Sequence, residues 1–367
     1  MPATEKCVLA IDLGTSGPKA AVVTNSGRIL STARAHVETT FLPHDGVEQD
    51  PRAVWDASKA ACKGALAYAN VRREDVLAVI CSSQYSSVVP IDAAGGPTMN
   101  MIVWMYQRGA VPRLKQLAGF PKRANSPLHT LRWLRVHGLP PLSGGESLSH
   151  VRWVKYALPD IYARTHKFLE PMDFLTLKFS GVCATNQGNA LMFLSTDNRR
   201  LDATGYHPGL IRISAIDEEK LPDILPFDTI LGKILPDVAE EIGLSPETKI
   251  IIGLNDTQAG GMGTYAFTGN HAAVSVGSTS VMITHVDFKR TDIRHAILSM
   301  PSPVPNTYFV MAENGIGGGA LEHFLKHLIF AEDDFGHLSN EQQFAALGRA
   351  IGPIPPGSGG LLFLPWM

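Results

Sequence analysis

The chain has 367 residues, 45% of them hydrophobic and 18% charged, with a formal net charge of −2 at pH 7. This length is more than one ordinary hydrophobic core serves, so we expect two domains of a globular protein. The nearly balanced charge gives no reason to expect nucleic acid or an anionic membrane as a partner.

The four cysteines are scattered along the chain and form no CxxC pair. That pattern argues against a disulfide framework and against a zinc site. No signal peptide precedes the first apolar run, and no apolar run is long enough to span a bilayer. The cytoplasm is therefore the expected location.

The most informative stretch comes first, VLAIDLGTSGPK at residues 8–19. Its apolar run predicts a buried strand that delivers Asp12 to the end of a sheet, where a carboxylate can hold a metal ion directly or through water. The glycine-rich turn that follows lets backbone approach a phosphate and adds hydroxyl donors and a cation. The candidate phosphate ligands are Gly14, Thr15, Ser16 and Lys19.

A second predicted strand follows this turn at residues 20–24, and a third begins after a turn at residues 25–27. Strand, turn and strand differ from the Walker arrangement, in which a helix follows the phosphate loop. The order is that of the phosphate hairpin in actin-like ATPases. A plain β-hairpin with a glycine turn explains the same residues.

Farther along the first half, Asp50 and Pro51 predict a helix start, as N-cap and first helical residue, and the helix continues to about Ala69. Residues 76–81 predict a buried strand, with residues 87–91 as its neighbour. Three strands, a helix and a further strand form the core unit of a ribonuclease-H-like, actin-type domain.

A second informative stretch, KIIIGLNDTQAGGMG, begins at Lys249. Its isoleucines predict a strand that ends just before Asp256, and the small residues after it predict a closely packed helix. Asp256 then stands where a strand end presents a side chain to a cleft. The alternative is that Asp256 caps the helix that follows.

Residues 272–284, AAVSVGSTSVMIT, repeat the pattern of strand, glycine and hydroxyl turn, and strand. Gly277, Ser278 and Thr279 stand where the first turn stands in residues 14–17. One phosphate hairpin in each half is the trace expected of a duplicated fold whose halves clamp a nucleotide.

Taken together, these motifs resemble the FGGY carbohydrate kinases, a family that includes xylulokinase, ribulokinase, gluconokinase and glycerol kinase. The resemblance runs along the chain through DLGTSGPK, ICSSQYSSVVPIDAAG, IVWMYQR, KFLEPMDFLTLKFSG, GLNDTQAGGMG, SVGSTS, GIGGGALEHFL and GGLLFLPW. It implies two actin-like domains around a deep cleft, a sugar-binding domain at residues 1–251 and a partial nucleotide-binding domain at residues 252–367. It also implies ATP-dependent phosphorylation of a sugar or polyol, with ATP and Mg²⁺ as cofactors, and leaves a homodimer open.

The same resemblance implies roles for single residues. Asp256 is the base that takes the proton of the acceptor hydroxyl, and Asp12 is the metal-associated carboxylate. The implied phosphate contacts are Gly14, Thr15, Ser16, Lys19, Gly277, Ser278, Thr279 and Gly318. The implied substrate contacts are Gln84, Tyr85, Trp104, Tyr106 and Asp256. A simple helix start is the alternative for Gly318, and a core position is the alternative for Trp104.

Two departures from the family pattern bear on function. Tyr106 stands where an acidic sugar ligand is common, and Tyr85-Ser86 replace a sugar-contacting pair, so the substrate is not named. The chain stops at Met367, where family members continue into an adenosine-binding segment. We therefore expect exposed apolar strand surface, one amphipathic helix as its cover (Leu321, Phe324, Leu325 and Leu328) and weak ATP binding.

Two other functions remain open at this point. One is a catalytically impaired or non-catalytic FGGY-like binding protein. The other is a chaperone-type actin-like ATPase, which the stretch around Asp256 disfavours because such an ATPase has no alcohol to deprotonate.

Overall fold

The computed structural model of the protein describes residues 5–267, 271–276, 280–290, 292, 294–295, 297–314, 317–329 and 338–362. The strands are β1 (Cys7–Gly14), β2 (Gly17–Thr24), β3 (Ile29–Arg34), β4 (Thr40–Leu42), β5 (Gly46–Gln49), β6 (Val76–Ser83), β7 (Val89–Ile91), β8 (Met101–Ile102), β9 (Lys167–Leu169), β10 (Ala184–Asn186), β11 (Asp223–Leu225), β12 (Ile230–Lys233), β13 (Lys249–Asn255), β14 (Ala273–Val276), β15 (Ser280–Val286), β16 (Ile297–Pro301) and β17 (Tyr308–Asn314). The helices are α1 (Pro51–Ala69), α2 (Val111–Leu114), α3 (Pro127–Val136), α4 (Ser147–Ala157), α5 (Pro159–Arg164), α6 (Pro171–Ser180), α7 (Pro208–Ser214), α8 (Pro236–Ile242), α9 (Asp256–Gly263), α10 (Gly318–Phe324) and α11 (Asn340–Ile351).

The first half is built on a six-stranded sheet in the order β12-β13-β6-β1-β2-β3, here called the first sheet. Strands β1 and β2 form the predicted hairpin, closed by the pair Gly14 and Gly17, and β3 continues it antiparallel. Strands β6 and β13 add to the other side in parallel with β1. Their carboxyl ends therefore meet at one edge of the sheet.

Helices cover one face of the first sheet. In β1 the alternate residues Leu9, Ile11 and Leu13 are completely or almost completely buried, in one hydrophobic cluster with residues of α1, α6 and α8. Burying one such side chain stabilises the fold by about 1.5–3 kcal/mol. Helix α1 begins as predicted, because the Asp50 carboxylate accepts a hydrogen bond from the Arg52 amide at 2.9 Å and Pro51 occupies the first turn.

The expected pairing of residues 87–91 with the Val76 strand is wrong. Both edges of β6 are occupied, one by β1 and the other by β13, so no place is left for a further neighbour. After β6 the chain turns away at Ser86, which has a φ of 59°, and β7 pairs instead with β9, Val89 opposite Leu169.

The second half contains a four-stranded antiparallel sheet in the order β14-β15-β17-β16, here called the second sheet. Strands β14, β15 and β17 repeat the order of β1, β2 and β3, and α10 follows as α1 follows in the first half. The predicted duplication of the hairpin is thereby confirmed in its strands. The turn residues Gly277, Ser278 and Thr279 lie outside the described residues.

The second sheet buries one face against the first half. Its cluster joins Ile283, Met300, Phe309 and Met311 to Leu191 of the first half. On the opposite face Val274, Val276 and Met282 are 69%, 68% and 52% exposed, which confirms the expected exposure of apolar strand surface.

The expected helical cover differs from prediction in two ways. Leu325 is buried, but Leu321 and Leu328 are exposed, so the apolar stripe of this helix is only partly in a core. A second helix, α11, follows, and its Ser339 forms a capping box with Gln342. Among the described residues, no helix combines the length and the hydropathy needed to cross a bilayer.

Candidate active site

A cleft of about 470 Å³ lies at the edge where the carboxyl ends of β1, β6 and β13 meet, and the second sheet forms its opposite wall. Clefts at such strand ends are the usual ligand sites of open α/β sheets. The lining residues come from both halves and are Gly14, Thr15, Gln84, Tyr85, Ser86, Trp104, Gln107, Ser143, Gly145, Met192, Asp256, Thr257, Val281 and Glu313. Six residues predicted from sequence are thus together: Gly14, Thr15, Gln84, Tyr85, Trp104 and Asp256.

One wall is organised around the hydroxyl of Thr15. This hydroxyl donates to Gln84 Oε1 at 2.6 Å and accepts from Trp104 Nε1 at 3.1 Å. Gln84 is only 4% exposed, and its Nε2 has no hydrogen-bond partner in the part of the chain that the structure describes. A buried amide donor left unpaired is costly, so this group is suited to an oxygen atom of a ligand.

Asp256, the first residue of α9, lies at the same edge beside Gln84, because Asn255 of β13 pairs with Ser83 of β6. The helix cap is Asn255, whose Oδ1 accepts from the Gln258 amide at 2.9 Å, so the alternative role of Asp256 as the cap is wrong. The Asp256 side chain opens onto the cleft and accepts from the Thr257 hydroxyl at 3.2 Å. Desolvation by the cleft walls, followed by the negative charge of Asp12, raises the pKa of Asp256 to about 6. A carboxylate with such a pKa is suited to accept a proton near neutral pH.

Buried amide side chains hold this helix start in place. Asn255 Nδ2 donates to the Gly188 carbonyl at 3.3 Å and to Gln258 Oε1 at 3.0 Å. Gln258 Nε2 donates to the Pro301 carbonyl at 2.9 Å, at the end of β16. The first turn of α9 is therefore tied to both halves of the molecule.

A second cavity of about 590 Å³ lies on the open face of β1, β2 and β3, beside the cleft. Asp12, Lys19 and Arg34 line it, and Lys19 pairs with Arg34 across the two strands. The charges of the two cavities differ, because Lys19 and Arg34 contribute cations here that the cleft does not have among its lining residues. This face is suited to an anionic ligand.

Asp12 fits a metal ion that takes most of its ligands from elsewhere. Its side chain is 47% exposed, its Oδ1 accepts from the Ser82 hydroxyl at 3.0 Å, and its Oδ2 is 4.0 Å from Lys19 Nζ. Among the described residues there is no cluster of three His, Cys, Asp or Glu side chains that could enclose a metal ion. One open carboxylate matches Mg²⁺, which commonly uses one or two carboxylates together with phosphate and water.

The first hairpin turn has a strict steric requirement. Gly17 has a φ of 126°, and a Cβ atom there would lie 2.3 Å from the Ala35 carbonyl oxygen. Only glycine avoids that clash. Ser16 is exposed at the tip of the turn. Gly318 is the first residue of α10.

Trp104 and Tyr106, both predicted to contact the substrate, differ in burial. Trp104 is 38% exposed and lies on the cleft wall, so its alternative core position is wrong. Tyr106 is 1% exposed, packs edge-on against His150 with ring centroids 5.6 Å apart, and belongs to a hydrophobic cluster with Trp133. It does not line the cleft, because its ring is packed in this cluster, and the next residue, Gln107, lines the cleft instead.

Sequence reasoning missed Glu313, which lines the cleft from β17. Its position resembles that of Asp12, a carboxylate near the end of a strand before a glycine, so the same signal could have found it. Burial against the cleft walls raises the pKa of Glu313.

Sequence reasoning also missed the groups that support Ser86 and Ser87. His150 Nε2 lies 3.0 Å from the Ser86 carbonyl, and burial lowers the pKa of His150 to about 4, so the ring is neutral at pH 7. Glu170 is fully buried and accepts from the Ser87 amide at 3.2 Å. These groups fix the backbone that carries Gln84 and Tyr85 into the cleft.

Comparison with known proteins identifies the family. The model for the N-terminal domain of the FGGY family of carbohydrate kinases matches residues 7–263. Xylulose kinase of Bacillus subtilis (strain 168) is 24% identical over 362 residues, covering 99% of this chain and 68% of that protein. Gluconokinase of the same organism is 22% identical over 372 residues, covering 98% of this chain and 67% of that protein.

Solved structures show the same fold. A gluconate kinase from Lactobacillus acidophilus superposes with a TM-score of 0.82 at 20% identity, covering 99% of this chain and 69% of its own. A ligand-bound xylulose kinase from the same species gives a TM-score of 0.81 at 20% identity, with 98% and 68% coverage. The fold is accordingly that of duplicated, actin-like domains around a cleft. With a family model matching well over half of its length, the chain belongs to the FGGY family of carbohydrate kinases.

Proposed function

We propose that the chain transfers the terminal phosphoryl group of ATP to a hydroxyl of a sugar or polyol bound in the cleft, with Asp256 as general base. The observation that carries the proposal is the position of Asp256, at the end of β13 and open to the cleft, with its pKa raised to about 6. Relatives named xylulose kinase and gluconokinase support the choice of a polyhydroxylated acceptor.

The base is needed because an alcohol is a weak nucleophile. With a pKa of about 6, Asp256 is mostly ionised at pH 7 and can take the hydroxyl proton as the new oxygen–phosphorus bond forms. Such general-base assistance contributes about 10²–10⁴-fold to a rate. The Thr257 hydroxyl, bonded to Asp256 Oδ1, orients the carboxylate.

The acceptor is oriented by side chains beside Asp256, at the same edge of the first sheet. Gln84 Nε2 is positioned to donate to a substrate oxygen, and the exposed face of Trp104 offers a flat apolar surface to the carbon–hydrogen face of a sugar. The bond from Trp104 Nε1 to Thr15 fixes the ring. Tyr85, whose hydroxyl donates to Met311 Sδ, bridges from this edge to the second sheet.

The phosphates of ATP are assigned to the neighbouring cavity, which Lys19 and Arg34 line. Mg²⁺ bound with ATP neutralises charge that develops on the transferring group. Asp12 would hold the ion, and Gly14, Thr15, Ser16 and Lys19 would face the phosphates. The second hairpin, with Gly277, Ser278 and Thr279, and the helix start at Gly318 would approach them from the other half.

The proposal divides the chain into a sugar-binding part, residues 1–251, and a nucleotide-binding part, residues 252–367. The cleft supports two parts because its walls come from both, and the boundary itself falls within β13, whose last residues still pair with β6. Asp256 then stands just beyond the boundary, between the two ligands.

The test is steady-state ADP release with Mg-ATP and a panel of pentuloses, aldoses and polyols. Asp256→Asn should lower kcat by about 10²–10⁴-fold while the KM for the acceptor changes little, because the amide keeps the shape and loses the base. Wild-type kcat should fall below about pH 6, since protonation of Asp256 removes the reactive form. Asp228→Asn, an exposed position on the loop before β12, is the matched control.

Two results would count against the proposal. Near-normal turnover of Asp256→Asn in a folded protein would contradict the assignment of the base. Absence of acceptor-dependent ADP release from the wild-type chain with every member of the panel would contradict the proposed function itself.

A further inference from the structure

We infer that the cleft selects an uncharged sugar or polyol over a sugar acid, and that Glu313 is a residue that determines this selection. The inference deepens the proposed function and rests on it. It narrows a choice left open by the relatives, which are named for an uncharged ketose in one case and a sugar acid in the other.

Among the described residues that line it, the cleft carries negative charge without a compensating cation. Its described lining includes two carboxylates, Asp256 and Glu313, and no lysine, arginine or histidine. A bound carboxylate would therefore have no cationic partner among these residues.

The cations near the cleft are directed elsewhere. Lys19 lines the neighbouring cavity, 4.0 Å from Asp12. Arg108 follows the lining residue Gln107, but its guanidinium lies over the Tyr106 ring and donates to the Pro43 carbonyl. His150 is completely buried and bonds to the Ser86 carbonyl. None of these three side chains lines the cleft.

The cleft also contains an unpaired hydrogen-bond donor that an uncharged ligand oxygen can satisfy. Gln84 Nε2 is a buried donor without a partner among the described residues. A hydroxyl or carbonyl oxygen of a polyol or ketose satisfies it at no electrostatic cost. A carboxylate could also accept from it, but would be held between two like charges.

The negative charge of Glu313 can be removed without removing the proposed general base. Asp256 is assigned to the chemistry, so its replacement removes turnover along with charge. Glu313 lies on the second sheet and lines the same cleft as Asp256. Its negative charge is a minor contribution to the raised pKa of Asp256. Removing one charge from a partly desolvated wall changes the preference for a charged ligand by about tenfold.

The experiment compares acceptors of equal length, xylitol and D-xylulose against D-xylonate, each with Mg-ATP at pH 8. Because ATP is common to all three, effects of a variant on ATP binding cancel in the ratio of kcat/KM values. We expect the wild-type chain to prefer the uncharged acceptors by about a hundredfold, two carboxylates contributing about tenfold each. Glu313→Gln should reduce that ratio about tenfold, while Glu240→Gln on α8, an exposed residue on the opposite face of the first sheet, should leave it unchanged.

Isothermal titration of xylitol and D-xylonate without ATP separates this inference from the proposed function. Tighter binding of xylitol without turnover would support the selection and contradict the kinase assignment. Equal or better use of D-xylonate, in binding or in turnover, would overturn the selection, and an unchanged ratio in Glu313→Gln would overturn the role of that residue.

Discussion

The first sheet is covered by helices of its own half, whereas the second sheet is held largely by its contact with the first half. Leu9, Ile11 and Leu13 of β1 pack against α1, α6 and α8. The cluster under the second sheet, in contrast, needs Leu191 of the first half to close it, and the opposite face leaves Val274 mostly exposed. The difference teaches that the two halves, although built on the same hairpin, do not contribute equally to stability.

The largest expected effect separates the two cores. Phe309 is fully buried, packs edge-on against His285 at 5.2 Å and lies under Gly261 of α9. Phe309→Ala should cost about 3–5 kcal/mol and loosen the second sheet while the first sheet stays folded. Hydrogen exchange should then show lost protection in β15 and β17 and retained protection in β1 and β6.

The matched change in the first half is Phe179→Ala. Phe179 is fully buried against Trp55, with ring centroids 4.8 Å apart. This variant should lose protection in both sheets, because the second depends on the first. Equal loss of protection across both sheets in Phe309→Ala would contradict the conclusion that the first sheet is stable without the second.

A smaller expected effect is a pH dependence of the free energy of unfolding that arises in the first half. Asp173 is fully buried in α6, and burial raises its pKa to about 7, whereas Glu313 of the second sheet, whose pKa is also raised, lines the cleft and is not fully buried. A raised folded-state pKa stabilises the fold below the unfolded value near 4, and that contribution is lost as pH rises through 7. Asp173→Asn, which cannot ionise, should therefore be more stable than wild type by roughly 1–3 kcal/mol at pH 8.

Urea unfolding between pH 4 and pH 8 measures this effect. The gain of Asp173→Asn should shrink toward pH 4, where the wild-type carboxyl is protonated in the folded state. Its amide can retain the contact with Asn189, which now donates to Asp173 Oδ1 at 3.0 Å. A gain that does not depend on pH would assign the effect to packing instead of charge.

The smallest effects come from one substitution made in each sheet. Val22→Thr in β2, at a completely buried position, should cost about 1–3 kcal/mol because a hydroxyl is buried without a partner. Val274→Thr in β14, at a 69% exposed position, should change the free energy of unfolding by less than about 0.5 kcal/mol. Comparable costs in thermal unfolding would show that the outer face of the second sheet is covered in solution.

Local patterns in the sequence predicted the elements that depend on local chemistry. The β1–β2 hairpin, the cap of α1 at Asp50 and the strand before Asp256 all follow from signals within about ten residues. The pairing of β7 with β9 did not, because it depends on which edges of the first sheet are already occupied by distant strands.

The candidate site was predictable to the same extent. Asp12 and Asp256 were found because each follows a predicted strand and so stands at a sheet edge, whereas Gln84 followed from the family resemblance. Tyr106 was misplaced because its neighbours Trp104 and Gln107 face the cleft, and only tertiary packing against His150 decides that its own ring turns inward. Glu313 was missed because the glycines that follow it come without the Thr and Ser hydroxyls that mark the turn after Asp12.

The bond from Gln258 to the Pro301 carbonyl has a mechanical consequence. Any rotation of the second sheet toward the first must either break this buried bond or turn about it. Asp256 itself stays with the first sheet, because Asn255 of β13 lies opposite Ser83 of β6 and keeps Asp256 beside Gln84. If the bond holds, the end of β16 is a pivot, and the distance between Glu313 and Asp256 becomes the coordinate that closes the cleft.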